Sequence, residues 1–316
     1  MPNTNTVLLE ARAKKNNEFF TRYEDVENEL KHYSPLLYGK SVFCCCNDRE
    51  DGAFYRYFSD HFSSLGLIRL TATTYSRDSS APGKIVIRTA DGVERRSLQG
   101  SGDYRSDEMS EIMDESDVIA TNPPFTNFSA ILKMIIAKKK QFVLVGPQSA
   151  ITNRSVFPFL HSGEANLGYG YPRSVGYFIS DVYEDYAAST GHKEGYIRVP
   201  GVTWYTNMAV KPDRPPVVPE VEYTEERYPK YVNLDAINVG RLCDIPKGYF
   251  GRMGVPITYM YRHNPARYEI VGTTNAMAEP LVVEGKYVKS PGCAYIKTPE
   301  GKLKGVYSRI VIQERS

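Results

Sequence analysis

A regular exchange of short apolar runs and amphipathic helical segments, between about residue 40 and residue 146, constrains the fold more than any other feature. Each apolar run has the length and composition of a buried strand. The runs occupy residues 41–46, 67–74, 117–120 and 142–145. Since strands that are apolar throughout and alternate with helices are typical of parallel sheets, the sequence predicts an α/β fold with helices on both faces of the sheet. Such sheets bind ligands at the carboxyl ends of their strands, so functional residues are expected directly after these runs.

Two local signals add elements to this framework. Thr21 followed by Glu24 forms a capping box, and the apolar spacing after it predicts a helix over residues 21–31. Residues 85–98 contain two alternating runs about an Asp-Gly pair, which predicts a β-hairpin inserted after the second strand.

The chain changes character at about residue 211. The segment PDRPPVVPE is a proline-rich extended linker, and the sequence after it is rich in Tyr and poor in helical periodicity apart from a possible helix near residues 234–242. We therefore predict two domains, a larger one over residues 1–210 and a smaller one over residues 211–316.

Composition excludes several classes of protein. The apolar runs are far shorter than the roughly 20 residues of a membrane span, and the N-terminal segment is too polar for a signal peptide. Five Cys, three of them adjacent, form neither a disulfide framework nor a spaced zinc site. The sequence therefore predicts a cytoplasmic protein with reduced thiols, no membrane association and no metal.

Charge is distributed unevenly along the chain. The net charge is only +2, yet residues 281–316 carry seven Lys or Arg against three Glu. A basic face of this kind suits contact with phosphates, and it equally suits a well-solvated terminal hairpin. Both interpretations stay open.

The tetrapeptide Asn122-Pro123-Pro124-Phe125, directly after the third apolar run, carries the clearest chemistry. Its two prolines stiffen the loop and supply carbonyl groups without neighbouring N–H donors. The Asn122 side-chain oxygen and the Pro123 carbonyl could accept both hydrogens of a ring-bound amine, while Phe125 stacks on the ring. Two acceptors would localise the nitrogen lone pair for attack on an electrophilic methyl group. The alternative is that the prolines only end a strand and Phe125 belongs to the core.

This tetrapeptide resembles the signature of S-adenosylmethionine-dependent amino-methyltransferases. Together with the phrases around it, the chain resembles the EcoRI-type adenine-specific DNA methyltransferase family from about Lys15 to about Ile270 and again near the end. The resemblance implies a class I Rossmann-like sheet, S-adenosylmethionine as donor and N6 of an adenine flipped out of double-stranded DNA as acceptor. The phrases that carry it are NNEFFTRYEDVENELKHY, GKSVFCCCNDRE, GDYRSDE, VIATNPPF, GVTWYTN, YPKYVNLDAINV, GVPITYMYRHNP and VYSRIVI.

Carried over residue by residue, the resemblance assigns catalysis to the tetrapeptide and donor binding to three further segments. Each of the three has a structural alternative: an apolar anchor for the first helix, a cap for the second helix, and a simple turn around Asp103. The expected catalytic residues are Asn122, Pro123, Pro124 and Phe125, and the expected donor-binding residues are Phe19, Phe20, Thr21, Cys46, Asn47, Asp48, Asp103, Tyr104 and Asn122.

The loop after the first strand departs from most class I methyltransferases, because it contains no Gly before Gly52. This departure leaves the donor contacts poorly assigned. The adjacent cysteines are interpreted as small strand residues, since transfer to an amine needs no thiolate. In the smaller domain, which the resemblance makes the region of target recognition, Lys302 and Lys304 are the expected phosphate contacts. Rival hypotheses are a methyltransferase acting on guanine N2 of RNA or on a protein glutamine, and an inactive homologue that only binds DNA.

Overall fold

The computed structural model describes residues 20–46, 48–76, 78, 81–171, 175–179, 196–209, 215–283, 286–287 and 292–315. The chain divides into two compact units. The first consists of Met1–Gln148 and Gly163–Val210, and the second of Ser149–Ser162 and Lys211–Ser316. The segment Ser149–Ser162 thus belongs to the second unit, although it lies within residues 1–210 of the chain.

A mixed sheet of ten strands forms the centre of the first unit. Its order is β1-β9-β10-β7-β6-β2-β3-β4-β5, with β8 paired to β10. The strands are β1 (Phe20–Thr21), β2 (Ser41–Cys44), β3 (Arg69–Thr73), β4 (Lys84–Thr89), β5 (Gly92–Ser97), β6 (Val118–Thr121), β7 (Gln141–Pro147), β8 (Asn166–Leu167), β9 (Val175–Ile179) and β10 (Tyr196–Thr206). The helices of this unit are α1 (Tyr23–Leu30), α2 (Ala53–Asp60), α3 (Asp107–Asp114) and α4 (Phe128–Ala137), with a 3₁₀ helix at Lys31–Leu36.

Only the middle of the sheet is parallel. The strands β3, β2, β6 and β7 run in one direction, and they are the four apolar runs predicted from the sequence. Antiparallel strands flank them on both sides, β4 and β5 beyond β3 and β10 and β9 beyond β7. The four predicted apolar runs are thus parallel to one another, and the predicted hairpin of β4 and β5 extends the sheet beyond β3.

Helices cover both faces of the parallel strands. Val42 and Cys44 share a hydrophobic cluster with residues of α1 and α2, among them Val26 and Phe54. Side chains alternate between the faces of a strand. On the opposite face Phe128 of α4 lies so close to Gly146 that no side chain fits there. Helices therefore pack against the sheet from both sides at these positions.

The start of α1 differs from the prediction. The helix begins at Tyr23 after Arg22, and no side chain caps its first turn. Thr21 instead lies in β1, where it pairs with Phe178 of β9. Because the N-cap position falls on Arg22, Thr21 lies one residue too early to cap the helix, and the predicted capping box does not form.

The second unit consists of short strands and short helices. Its helices are α5 (Phe157–Ser162) and α6 (Thr274–Met277), with 3₁₀ turns at Gln148–Thr152, Leu242–Asp244 and Ile257–Arg262. A four-stranded sheet has the order β12-β14-β20-β15, and three two-stranded ladders complete the unit. The strands are β11 (Val221–Glu222), β12 (Ile237–Asn238), β13 (Pro246–Lys247), β14 (Met253–Val255), β15 (Tyr268–Thr273), β16 (Val282–Val283), β17 (Lys286–Tyr287), β18 (Ala294–Lys297), β19 (Leu303–Val306) and β20 (Ile310–Glu314).

The helix predicted near residues 234–242 is absent from this described part of the chain. Ile237 pairs with Met253 in a parallel ladder instead, and its N–H donates to the Arg252 carbonyl. Pairing with a distant segment thus decides the conformation here. Within the ranges given above, no helix has the length and apolar character needed to cross a membrane.

Candidate active site at the carboxyl ends of the parallel strands

The loops that follow β2 and β6 meet at one edge of the sheet. Phe43 of β2 is in register with Ile119 of β6, so the ends of these neighbouring strands lie side by side. The Thr121 hydroxyl donates to the Cys45 carbonyl and thereby ties the two loops together. Thr121 was not predicted from the sequence, although its position directly before Asn122 could have indicated it.

The loop Asn122–Phe125 leaves β6 at this edge. Pro123 is buried, whereas Asn122, Pro124 and Phe125 are half-buried. The Pro124 carbonyl accepts the Asn127 N–H at 2.9 Å. Among the described residues, no donor makes a hydrogen bond with the Pro123 carbonyl.

Phe125 contacts the core without being enclosed by it. Its ring packs against the hydrophobic cluster that includes α1 and α2, and part of the residue stays exposed. A half-buried ring is compatible both with the core role and with the stacking role that the sequence left open.

The loop after β2 contains a strained cysteine. Cys46 has a φ of 62°, in the left-handed region that glycine usually occupies. Cys46 therefore adopts the conformation that a glycine would supply at this point of the chain. Its Sγ lies 3.3 Å from that of Cys45, and this hydrogen bond together with burial raises the pKa of the Cys46 thiol. The thiol thus stays protonated at neutral pH, as expected for a structural cysteine.

Asp48 caps the second helix. Its Oδ2 accepts the Tyr55 N–H at 2.9 Å, in the first turn of α2. This is the structural alternative to donor binding, and it engages only one of the two carboxylate oxygens with α2. Burial of the carboxyl group raises the pKa of Asp48 to about 7.

We expect Asp48→Asn to change how stability depends on pH. The pKa of Asp48 rises from 3.8 to about 7 on folding, so the folded chain binds more protons between these values. Its stabilising contribution is present below pH 4 and is lost as the pH rises through 7. Asn keeps an acceptor for the Tyr55 N–H but does not titrate. Relative to the wild type, the variant should gain on the order of 4 kcal/mol between pH 4 and pH 8, as measured by urea unfolding. A constant difference across this range would contradict the assigned cause.

Asp103 lies in a tight turn near the end of β3. Gly102 has a φ of 82°, and a side chain at Gly102 would overlap the Thr74 carbonyl. Asp103 Oδ1 accepts the Arg105 N–H at 3.0 Å, and its carboxylate forms an ion pair with the Arg105 guanidinium at 2.6 Å. The hydrogen bonds from Arg105 lower the pKa of Asp103. The predicted turn therefore forms, with a carboxylate that stays ionised beside the half-buried ring of Tyr104.

The N-terminal segment that the sequence predicts to bind the donor lies close to the loop after β2. The Arg49 guanidinium lies 6.0 Å from the centre of the Phe20 ring, which is half-buried. Thr21 is 6% exposed, and its hydroxyl makes no hydrogen bond with the described residues. Arg49 was missed from the sequence, because nothing local marks its contact with Phe20. The predicted donor residues Phe19 and Asn47 lie outside the described residues.

The two lysines expected to bind phosphate belong to the second unit. Lys302 lies in the turn of the hairpin formed by β18 and β19, and Lys304 lies in β19 opposite Ile296. Both are exposed, and neither forms an ion pair with another described residue. The part of the chain that the structure describes also contains no group of three or more His, Cys, Asp or Glu arranged to hold a metal ion.

Comparison with known proteins identifies the family. The family described as adenine-specific methyltransferase EcoRI matches residues 7–315. The chain belongs to the EcoRI-type adenine-specific methyltransferase family. It is therefore an enzyme, a DNA adenine methyltransferase, which confirms the recognition and the class of activity predicted from the sequence.

Curated members of the EcoRI-type family match this chain along most of its length. Type II methyltransferase M.EcoRI of Escherichia coli is 33% identical over 311 residues, which cover 90% of this chain and 94% of the relative. Type II methyltransferase M.MgeORF184P of Mycoplasma genitalium is 30% identical over 96% of this chain and 98% of its own. Type II methyltransferase M.MpnI of Mycoplasma pneumoniae is 29% identical over 96% and 97% of the two chains. No solved structure gives a significant match.

Proposed function

We propose that this methyltransferase transfers a methyl group from S-adenosylmethionine to N6 of an adenine flipped out of duplex DNA at a specific site. One observation carries the proposal. The loop Asn122–Phe125 leaves a parallel strand at its carboxyl end, with a Pro123 carbonyl that accepts no hydrogen bond from described residues and a half-buried aromatic ring. These groups lie at the carboxyl end of a strand in a sheet that has helices on both faces. This placement supports a Rossmann-like fold with its binding site at the strand ends.

The chain's own groups suffice to activate a poor nucleophile. The amine of adenine is conjugated with the ring, so its lone pair is delocalised. The Asn122 side-chain oxygen and the Pro123 carbonyl accept hydrogen bonds from its two N–H groups and draw the nitrogen towards tetrahedral geometry. The nitrogen would then bond to the donor's methyl carbon as the bond from that carbon to sulfur breaks, S-adenosylhomocysteine would leave, and one amine proton would pass to solvent. Phe125 stacks on the purine and holds it in place, a contact worth about 1–3 kcal/mol. Flipping costs a few kcal/mol of unstacking, which such contacts offset.

The donor residues fit S-adenosylmethionine, which supplies a methyl group on a cationic sulfonium. Thr21 carries a buried hydroxyl without a described partner, a group that a bound donor could satisfy. Phe20 lies beside the loop after β2, where Cys46 turns the chain in a left-handed conformation and Asp48 supplies a carboxylate. An acidic group suits the positive charge of this donor, and Asp103 supplies an ionised acceptor for its adenine amine.

The second unit is the proposed region of DNA recognition. A basic hairpin with exposed lysines supports phosphate contacts that position the protein on the duplex. Duplex DNA, rather than a partner protein, is the expected ligand of residues 211–316. The segment Ser149–Ser162 joins this unit in the structure, so it belongs to the same proposed region.

We expect charge reversal at Lys302 and Lys304 to weaken DNA binding on all sequences. The double variant Lys302→Glu/Lys304→Glu should lose about tenfold in affinity and reduce the slope of log affinity against log salt by about 2. Fluorescence anisotropy with several duplexes at increasing salt measures both quantities. The double variant Lys133→Glu/Lys139→Glu, at two exposed lysines on α4 and just after it, is the control for the same change in net charge. An unchanged slope would make the hairpin ordinary solvated surface.

Methylation-sensitive sequencing of DNA from cells that express the chain tests the proposed function directly. We expect N6-methyladenine at one recurring sequence, and none in cells expressing an Asn122→Ala variant. Methylated RNA or protein with unmodified DNA would favour the rival methyltransferases, which act on other planar amines. Unmodified nucleic acid and protein, with retained DNA binding, would identify an inactive homologue.

A further inference from the structure

A buried carboxylate on the first helix takes no part in the site described so far. Glu29 of α1 is 2% exposed. Its Oε1 accepts the Tyr33 hydroxyl and the Tyr169 N–H, both at 2.7 Å, and its Oε2 accepts the Gly170 N–H at 2.8 Å. A buried carboxylate is costly unless its oxygens are satisfied, so this set of donors indicates a built contact rather than an accidental one.

The contact fixes the loop that contains Tyr169 against α1. Gly168 has no room for a side chain, because a Cβ would overlap Glu29 Oε1 and lie 2.5 Å from Trp204 Cβ. The Tyr169 ring stacks on His32, with 4.1 Å between ring centres, and meets Tyr33 edge-on at 5.7 Å. Backbone, carboxylate and ring contacts therefore all hold the loop at one place.

The same two stretches of chain meet again beyond the helix. Thr21 of β1 pairs with Phe178 of β9, and Phe20 pairs with Ile179. Residues 20–30 are thus joined to residues 168–179 at both ends, by a strand pair at one end and by Glu29 at the other. A ladder of two residue pairs is weak by itself, since isolated short strand pairs are marginally stable. The contacts of Glu29 therefore help to hold β1 in its position.

We propose that Glu29 is a positioning residue for the methyl donor: by anchoring α1 to the loop at Tyr169, it holds Phe20 and Thr21 in the conformation that binds S-adenosylmethionine. This role rests on the function proposed above, in which Phe20 and Thr21 contact the donor. Loss of the anchor reduces the fraction of molecules in the binding conformation. The apparent dissociation constant rises by the inverse of that fraction, whereas chemistry in the fully loaded complex is unaffected.

Glu29→Gln tests the role with little change of shape. The amide has one acceptor oxygen, and its NH₂ group would face a backbone N–H, so at least one of the loop contacts is lost. We expect the dissociation constant for S-adenosylmethionine, measured by calorimetry, and its KM to rise about tenfold. The kcat at saturating donor and the affinity for duplex DNA without donor should stay within about twofold of the wild type. Glu27→Gln, the same chemical change at an exposed position of α1, is the matched control and should behave as the wild type.

Tyr33→Phe provides a second, milder test if Glu29→Gln fails to fold. It removes one hydrogen bond to Glu29 Oε1 and keeps both backbone contacts. The dissociation constant for S-adenosylmethionine should therefore rise by a smaller factor, about threefold. Equal losses in kcat, DNA affinity and donor affinity would show a merely structural role and overturn the proposal. A folded Glu29→Gln protein with wild-type donor affinity would overturn it as well. If the wild type itself binds no S-adenosylmethionine, the proposed function fails and this role with it.

Discussion

Replacement of Asn122 by Ala should reduce methyl transfer by at least about a thousandfold while leaving donor affinity within a few-fold of the wild type. The substitution removes the side-chain acceptor for one amine hydrogen, so the nitrogen lone pair stays delocalised in the ring. The Pro123 carbonyl and the Phe125 ring still receive the base, and the residues around Thr21 and Asp48 still receive the donor. Single-turnover transfer of a labelled methyl group to duplex DNA measures the first effect, and calorimetry measures the second.

Asn127→Ala is the matched control for this variant. Asn127 lies in the same loop, precedes α4 and does not cap that helix with its side chain. Its replacement should leave turnover near the wild-type rate. Asn122→Asp restores acceptor oxygens and should recover part of the lost activity. Turnover of Asn122→Ala within tenfold of the wild type would refute the role of the side chain.

The parallel centre of the sheet was predictable because its strands are marked locally. Each apolar run is buried on both faces and bounded by polar or turn-forming residues, so length and composition suffice. The hairpin of β4 and β5 was equally predictable, since Asp91 and Gly92 lie between two runs in which apolar and polar residues alternate. The four parallel strands and this hairpin all formed close to their predicted positions.

Elements decided by distant pairing were not predictable in the same way. Thr21 has a helix-capping sequence, yet its partner is Phe178, far along the chain. Ile237 likewise lies in a segment whose spacing predicts a helix, yet it pairs with Met253 in a strand ladder. Local propensity is a weak signal, and tertiary pairing overrides it at both places.

The candidate site was predictable to different degrees on its two sides. The proposed chemistry of the loop Asn122–Phe125 was predictable because its functional groups lie on consecutive residues. The contacts on the proposed donor side depend on conformation instead. Cys46 adopts a left-handed conformation although it is not a glycine, and one carboxylate oxygen of Asp48 accepts a hydrogen bond from α2. Arg49 lies beside Phe20, which is distant in the sequence. No spacing in the sequence encodes these three arrangements, so the sequence predicts which segments bind the donor but does not assign their contacts.

Replacement of Phe125 separates the stacking role from the core role. If the ring stacks on the purine, Phe125→Ala and Phe125→Leu should both lose about 10- to 100-fold in kcat/KM for DNA, because neither offers an aromatic face. Phe125→Tyr keeps the face and should stay within a few-fold of the wild type. Steady-state kinetics with duplex DNA at saturating donor measures the ratio for each variant.

Phe125→Leu is the decisive member of this series. Leu keeps most of the apolar volume that packs against the cluster around α1 and α2, so it should cost less than about 1.5 kcal/mol of stability. Phe125→Ala loses that packing as well and should melt at a lower temperature. If the ring served only the core, activity would follow stability, and Phe125→Leu would turn over like the wild type. A stable but slow Phe125→Leu enzyme is therefore the result expected from a ring that holds the flipped base.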